Sequence, residues 1–138
     1  MKLAPISVKM TPVIAQRDLV LVVAGKRCLV RIRIGRPVQD VDTAHGLDWR
    51  CPITVSGVGH TRSQRGLGAD SLQALVHALK LVEEEIEHLE TRTSGRLEWF
   101  GERWHGLPSI RLAEPPVPKR PRVGRTTSVR MQRDIPRG

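Results

Sequence analysis

Between Asp70 and Arg92 the apolar residues Leu72, Leu75, Leu79, Val82, Ile86 and Leu89 follow one another at intervals of three, four, three, four and three. That spacing lays them along one stripe of an α-helix. Ala74, Val76, Ala78 and Leu81 widen the stripe in the first half, which is expected to be the more deeply buried. Glu83, Glu84, Glu85, Glu87 and Glu90 read as the solvated outer face of the second half. Asp70 or Ser71 can cap the N-terminus by accepting backbone N–H bonds. Ser94-Gly95 ends the helix, with glycine as the residue that takes positive φ without strain. At 1.5 Å per residue the helix is roughly 34 Å long. So long a stripe needs an apolar surface to lie on, and the remaining candidates for that surface are strands. A two-helix coiled coil is the alternative, but three heptads beside clear strands argue against it.

The first strand runs from Val13 to Ala24, and Gly25-Lys26 reads as a hairpin turn. In the second, RCLVRIRIG, Cys28, Val30, Ile32 and Ile34 point to the helix while Arg27, Leu29, Arg31 and Arg33 point away. Gly35-Arg36-Pro37 stops it, and residues 38–47 read as an acidic loop with Asp40 and Asp42. In the third strand, DWRCPITVSG, Trp49, Cys51, Ile53 and Val55 face the core while Arg50, Thr54 and Ser56 face out. Pro52 has no N–H, which places it near an edge or at a bulge. Val58-Gly59 turns the chain into a polar fourth strand, HTRSQRG, before Gly66-Leu67-Gly68 leads into the helix. RLEWFG is a short strand after the helix, with Leu97 and Trp99 on one face, and 102–110 is a loop or a second hairpin arm. The order predicts a two-layer α+β domain, an antiparallel sheet of four to five strands packed on one long helix. A weakly ordered N-terminus, residues 1–11, precedes the domain at 12–112.

A chain of 138 residues has room for one such domain and hardly for two. Its net charge of +9 is uneven, because residues 113–138 hold seven Lys and Arg against two acids. That segment also holds five of the ten prolines and no aromatic residue, so it reads as a disordered basic tail. No apolar run approaches the roughly 20 residues of a membrane span. Two cysteines without a secretory signal point to free thiols and the cytoplasm.

Arg17-Asp18-Leu19, Ile34-Gly35-Arg36-Pro37, Trp49-Arg50-Cys51-Pro52, Asp70-Ser71-Leu72-Gln73-Ala74-Leu75 and Leu97-Glu98-Trp99 together give the chain a resemblance. Over about residues 12–110 it resembles a bacterial domain family of unknown function. The resemblance implies a small cytoplasmic domain, and it transfers neither an activity nor a catalytic residue.

The candidate chemistry is sparse. Gly57, Gly59, Gly66 and Gly68 lie between a strand and a helix N-terminus, where anions bind, and Arg62 and Arg65 would add charge. No dinucleotide or P-loop spacing is present, and Asp70 sets a carboxylate where the anion would sit, so a hairpin followed by a helix entry is the simpler reading. Cys51 and Cys28 stand in apolar rows, as small buried residues do. Nor do His45, His60, His77, His88 and His105 have metal-ligand spacing. No cofactor is expected. The basic residues are the strongest hint. Arg27, Arg31 and Arg33 line one strand face, and Lys119, Arg120, Arg122, Arg125, Arg130, Arg133 and Arg137 lie in the tail. Together they could follow a phosphate backbone, although the tail has no aromatic residue on which a base could stack.

No set of residues supplies nucleophile, base and orienting group together. The expectation is therefore a non-enzymatic module acting through a protein partner, a second copy of the chain included. A non-specific nucleic-acid binder using the arginine face and tail is the alternative.

Overall fold

The computed structural model describes residues 2–113. The basic tail expected from the sequence, with Lys119, Arg120, Arg122, Arg125 and Arg130, lies outside the described residues. Six strands and one helix follow in the order β1 (Val13–Val23), β2 (Lys26–Gly35), β3 (Val38–Thr43), β4 (Gly46–Gly57), β5 (His60–Gly68), α1 (Ser71–Thr93) and β6 (Arg96–Glu98). The strands form one antiparallel sheet, and α1 lies on one face of it, the expected α+β arrangement.

β4 is the spine of the sheet. β5 pairs with it from Trp49↔Gly68 to Gly57↔His60. On its other side β2 pairs with residues 53–57 and β3 with residues 46–50. β2 and β3 thus lie end to end along one side of β4. The Gly35-Arg36-Pro37 stretch interrupts this line without ending it: Arg36 donates its N–H to Pro12 O at 2.9 Å, and Pro37 has none to place. The acidic loop expected at 38–47 is therefore a strand and a two-residue turn. Pro52 is not at an edge. It is fully buried, and it falls between Val38↔Arg50 and Ile34↔Ile53, where β4 changes partner and no β2 or β3 residue is registered opposite it. A residue without an N–H is tolerated at such a break.

Three two-residue turns, Ala24-Gly25, Val58-Gly59 and Phe100-Gly101, have positive φ at both positions. That geometry matches the twist of antiparallel strands. The first hairpin therefore turns one residue earlier than the Gly25-Lys26 reading.

Leu19, Leu21, Val30, Ile32, Ile34, Cys51, Ile53 and Val55 from the sheet meet Ala74, Ala78, Val82, Ile86 and Leu89 of α1. The N-terminal half of the helix is rotated from the expected stripe, and Leu72 is 67% exposed. The cause is on β5. A Cβ on Gly66 would overlap Ala74 O and Ala78 N, and one on Gly68 would overlap Ala74 N. The helix backbone sits directly on the two glycines through its alanines. Leu72 is two residues from Ala74, about 200° around the helix, and faces water.

Asp70 caps α1, accepting from Gln73 N at 2.7 Å. At the other end Ser94, not Gly95, takes positive φ, at 55°. Gly95 is required for a different reason, since a Cβ there would overlap Val23 and the Val22 carbonyl of β1.

The wet glutamate face is also corrected. Glu83 and Glu85 are buried, and Glu90 is half-buried. Each of the three holds another segment to the helix. Glu83 accepts from Ile110 N at 2.9 Å, Glu85 from Arg62 and Gln64 of β5, and Glu90 from Leu97 N of β6 at 2.9 Å. Only Glu84 and Glu87 of the five are exposed. Arg50 likewise points to the outer face yet is buried. It is clamped by Asp40 at 2.8 and 3.1 Å and by the Lys9 carbonyl at 2.7 Å.

Gly66→Ala is expected to lower stability by at least about 2 kcal/mol, because backbone cannot move aside as a side-chain end can. Urea denaturation of the variant beside the parent chain measures this, and a loss within experimental error would contradict the close approach.

Candidate partner-docking surface

The chain has four aromatic residues, and Trp99, Phe100 and Trp104 fall within six positions. β6 pairs with β1 only at residues 20–22, so after Glu98 the chain leaves the edge of β1. It turns at once. Trp99 and Glu102 exchange backbone hydrogen bonds at 2.9 and 3.0 Å around Phe100-Gly101. Phe100 stands at the tip of this turn, 88% exposed, and Trp104 is 56% exposed.

Trp99 anchors the group. The guanidinium of Arg17 lies 3.9 Å over its ring, a cation–π contact. Phe100 packs tilted against it at 4.9 Å between centroids, and Trp104 meets it edge-on at 6.0 Å. Gly106 closes the other side, where a Cβ would overlap the Trp99 ring. Its positive φ of 71° also suits glycine. Arg17 Nη1 donates to the carbonyls of His105 at 3.3 Å and Gly106 at 2.8 Å. One arginine thus fixes both the indole and the returning chain.

That chain, residues 105–110, crosses the inner face of the sheet beside α1. Leu107 packs on the core, and Glu83 receives the Ile110 N–H and the Ser109 hydroxyl. The Ile110 N–H holds the Glu83 carboxyl below the usual carboxylate range, with Lys80 adding to the effect. A depressed folded-state value means the contribution is present above the unfolded carboxylate value and is lost as pH falls through the folded one.

Because β6 is so short, residues 13–19 of β1 have β2 on one side and, among the described residues, no strand on the other. Val13 and Ile14 on this edge are 47% and 54% exposed. Gln16, Arg17, Asp18, Trp99 and Phe100 line an open recess along it. The arrangement offers unpaired backbone beside exposed aromatic rings.

The residues singled out in the sequence are distributed differently. Arg31 is held by Asp18 at 2.8 and 3.0 Å, Arg33 by Gln16 at 3.2 Å, and Arg27 by Glu98 at 3.2 Å. Asp18↔Arg31 and Gln16↔Arg33 are cross-strand pairs, so strand register makes these contacts. Arg31 also holds the Asp18 carboxyl below its ordinary range. Two of the three arginine charges are therefore matched within the chain, and Arg33 is oriented by a neutral amide. The glycine-rich group is not gathered into one place. Arg62 and Arg65 point to opposite faces of β5, and Gly66 and Gly68 lie under α1.

Cys51 is fully buried and donates to Gly35 O at 3.3 Å. Burial pushes its thiol up to about 11. His77 Nδ1 lies 2.6 Å from the Leu67 carbonyl oxygen, so that nitrogen carries the proton. Among the described residues no three His, Cys, Asp or Glu gather as metal ligands, and no helix is long and apolar enough to cross a membrane. Phe100 and Trp104 had no role in the sequence reading; the available signal was the crowding of scarce aromatics into six positions.

A family model, Domain of unknown function (DUF6968), matches residues 15–109. The chain belongs to the DUF6968 family. The match spans the sheet, the helix and the aromatic turn of this DUF6968 domain, and it ends within the returning segment. No curated protein and no solved structure matches the chain.

Two outcomes are expected. Protection of the Ile110 amide from hydrogen exchange should hold at neutral pH and fall on acidification below the carboxylate range. Glu83→Gln should remove that pH dependence; a profile identical in the variant would detach Glu83 from the returning segment. In the folded chain, iodoacetamide followed by mass spectrometry should label half-buried Cys28 ahead of Cys51, and equal labelling would contradict the burial of Cys51.

Proposed function

We propose that this DUF6968 domain is a non-enzymatic protein-interaction module of the cytoplasm, which receives an extended segment of a partner protein along the free edge of β1. The observation that carries this reading is the exposure of Phe100 beside the unpaired backbone of residues 13–19, with the exposed Trp104 held edge-on against Trp99. An open edge offers main-chain hydrogen bonds to a strand, and neighbouring rings add side-chain specificity. Large aromatic side chains are also the residue type on which binding energy concentrates at interfaces. Within the described chain Phe100 remains 88% exposed, so its apolar surface has a cost that a partner's contact would remove.

The nucleic-acid reading has less support. Phosphate contacts need cations free to exchange their counterions. Arg27 and Arg31 instead meet Glu98 and Asp18, while Arg33 donates to the uncharged Gln16 and keeps its charge. An enzymatic reading would need a reactive group, and the Cys51 thiol, raised to about 11, is not ionised near neutral pH.

Panning a displayed library of random peptides on the full chain tests the proposal. Selected peptides should alternate apolar residues and should slow hydrogen exchange at the amides of β1 residues 13–19. Phe100→Ser and Trp104→Ser should each weaken them by about tenfold or more. Selected peptides that protect only the arginine face, or affinities unchanged in both variants, would overturn the assignment.

A further inference from the structure

At the hairpin end of β4 and β5, away from the aromatic turn in the sequence, lies a cavity of about 170 Å³. Strand register and helix period converge there. Val55↔Arg62 and Gly57↔His60 are cross-strand pairs, which set Arg62 and His60 side by side on the face toward α1. Glu85, His88, Leu89 and Arg92 face them from the helix at positions i, i+3, i+4 and i+7. The apolar part is made by Val55 and Leu89, both buried. Gly57 lines the space with backbone alone, since a Cβ there would overlap Val30 of β2.

The rim is rich in donors. Arg62 is held by Glu85 through two bonds, at 3.2 and 3.3 Å, and Gln64 donates to the same carboxylate at 3.2 Å. Glu85 is thereby neutralised and orients Arg62. His60, His88 and Arg92 make no side-chain hydrogen bond or ion pair among the described residues. Three unengaged nitrogen-bearing side chains and a braced guanidinium surround one small space. The C-terminal end of the α1 dipole opposes an anion here, and Arg92, in the last turn, offsets it.

From this placement we infer that the cavity binds a phosphate group carried on a small molecule, with Arg92, His88 and His60 as donors and Arg62 as a braced fourth. Charge-assisted hydrogen bonds from arginine suit phosphate oxygens. The volume is below the range of roughly 300–1,000 Å³ that encloses a drug-sized ligand. The cavity therefore takes the anionic group, and the rest of the ligand stays outside. A divalent cation does not fit, because Arg62 and Arg92 flank the two histidines.

NMR titration of the labelled full chain with inorganic phosphate and with glycerol 3-phosphate tests this. Glycerol at equal concentration and sodium chloride at matched ionic strength are the controls. Both phosphates should give saturable shifts of the His60 and His88 ring signals, and the controls should not. Arg92→Gln and His88→Asn, both at exposed helix positions, should each weaken phosphate by about tenfold. Arg36→Gln, at the opposite end of β2, should leave it unchanged. Shifts that rise without saturation, or that chloride reproduces, would overturn the inference, as would Arg92→Gln and His88→Asn chains that bind like the parent. Because the peptide experiment reads residues 13–19 and this one reads the histidines, either can fail alone.

Discussion

The helix lies on β5 with nothing between the two backbones. Gly66 and Gly68 have no side chain to hold Ala74 and Ala78 away, and the core is built from that contact outward. It sets the rotation of α1, since a helix seated on alanines 74 and 78 must turn Leu72 to water and Val82, Ile86 and Leu89 to the sheet. Farther along the helix Glu85 meets Arg62, and the cavity beside His60 lies between α1 and the β4–β5 hairpin.

Charge is used mostly inside the domain. Glu83, Glu85 and Glu90 each tie a different segment to α1, and Arg50 ties β4 to Asp40 and to the N-terminal segment at Lys9. Because Glu83, Glu85 and Arg50 are buried, removing a partner would leave an unsatisfied polar group, which costs more than the loss of an exposed pair. These contacts also fix which loop lies against which face. On the outer sheet face the arginine row is answered by Asp18, Gln16 and Glu98. The features left unanswered are Phe100, Trp104 and the edge of β1 on one side, and His60, His88 and Arg92 on the other.

Much of the fold was legible because its elements obey local periods. The alternation Val30, Ile32, Ile34 and the helical spacing from Val82 to Leu89 both survive in the structure. β3 escaped because a register shift between Val38 and Val41 breaks its alternation, and because its pairing is provided by β4. The buried glutamates escaped for a related reason. Nothing near Glu83 in sequence announces Ile110, and nothing near Glu85 announces Arg62. The exposed row of arginines was legible as a face, but the partners that match it come from β1 and β6. Of the docking surface, the aromatic crowding was visible in the sequence. Its meaning was not, since it depends on β6 being too short to cover β1.

The pairing of β6 with β1 has a kinetic side. β1 with β2, β3 with β4 and β4 with β5 join neighbours in sequence, whereas Val20–Val22 must wait for Arg96–Glu98. Contacts between distant parts of a chain carry the larger loop-closure cost and tend to form late. On a ribosome, β1 emerges long before the residues that close against it, and its whole edge is open through that interval. Trp99 follows β1 to β6 and the helix in sequence, so its contact with Arg17 can form only after all of them have been synthesised. The aromatic turn is thus among the last parts of the domain to leave the ribosome, while the arginine that fixes it is among the first.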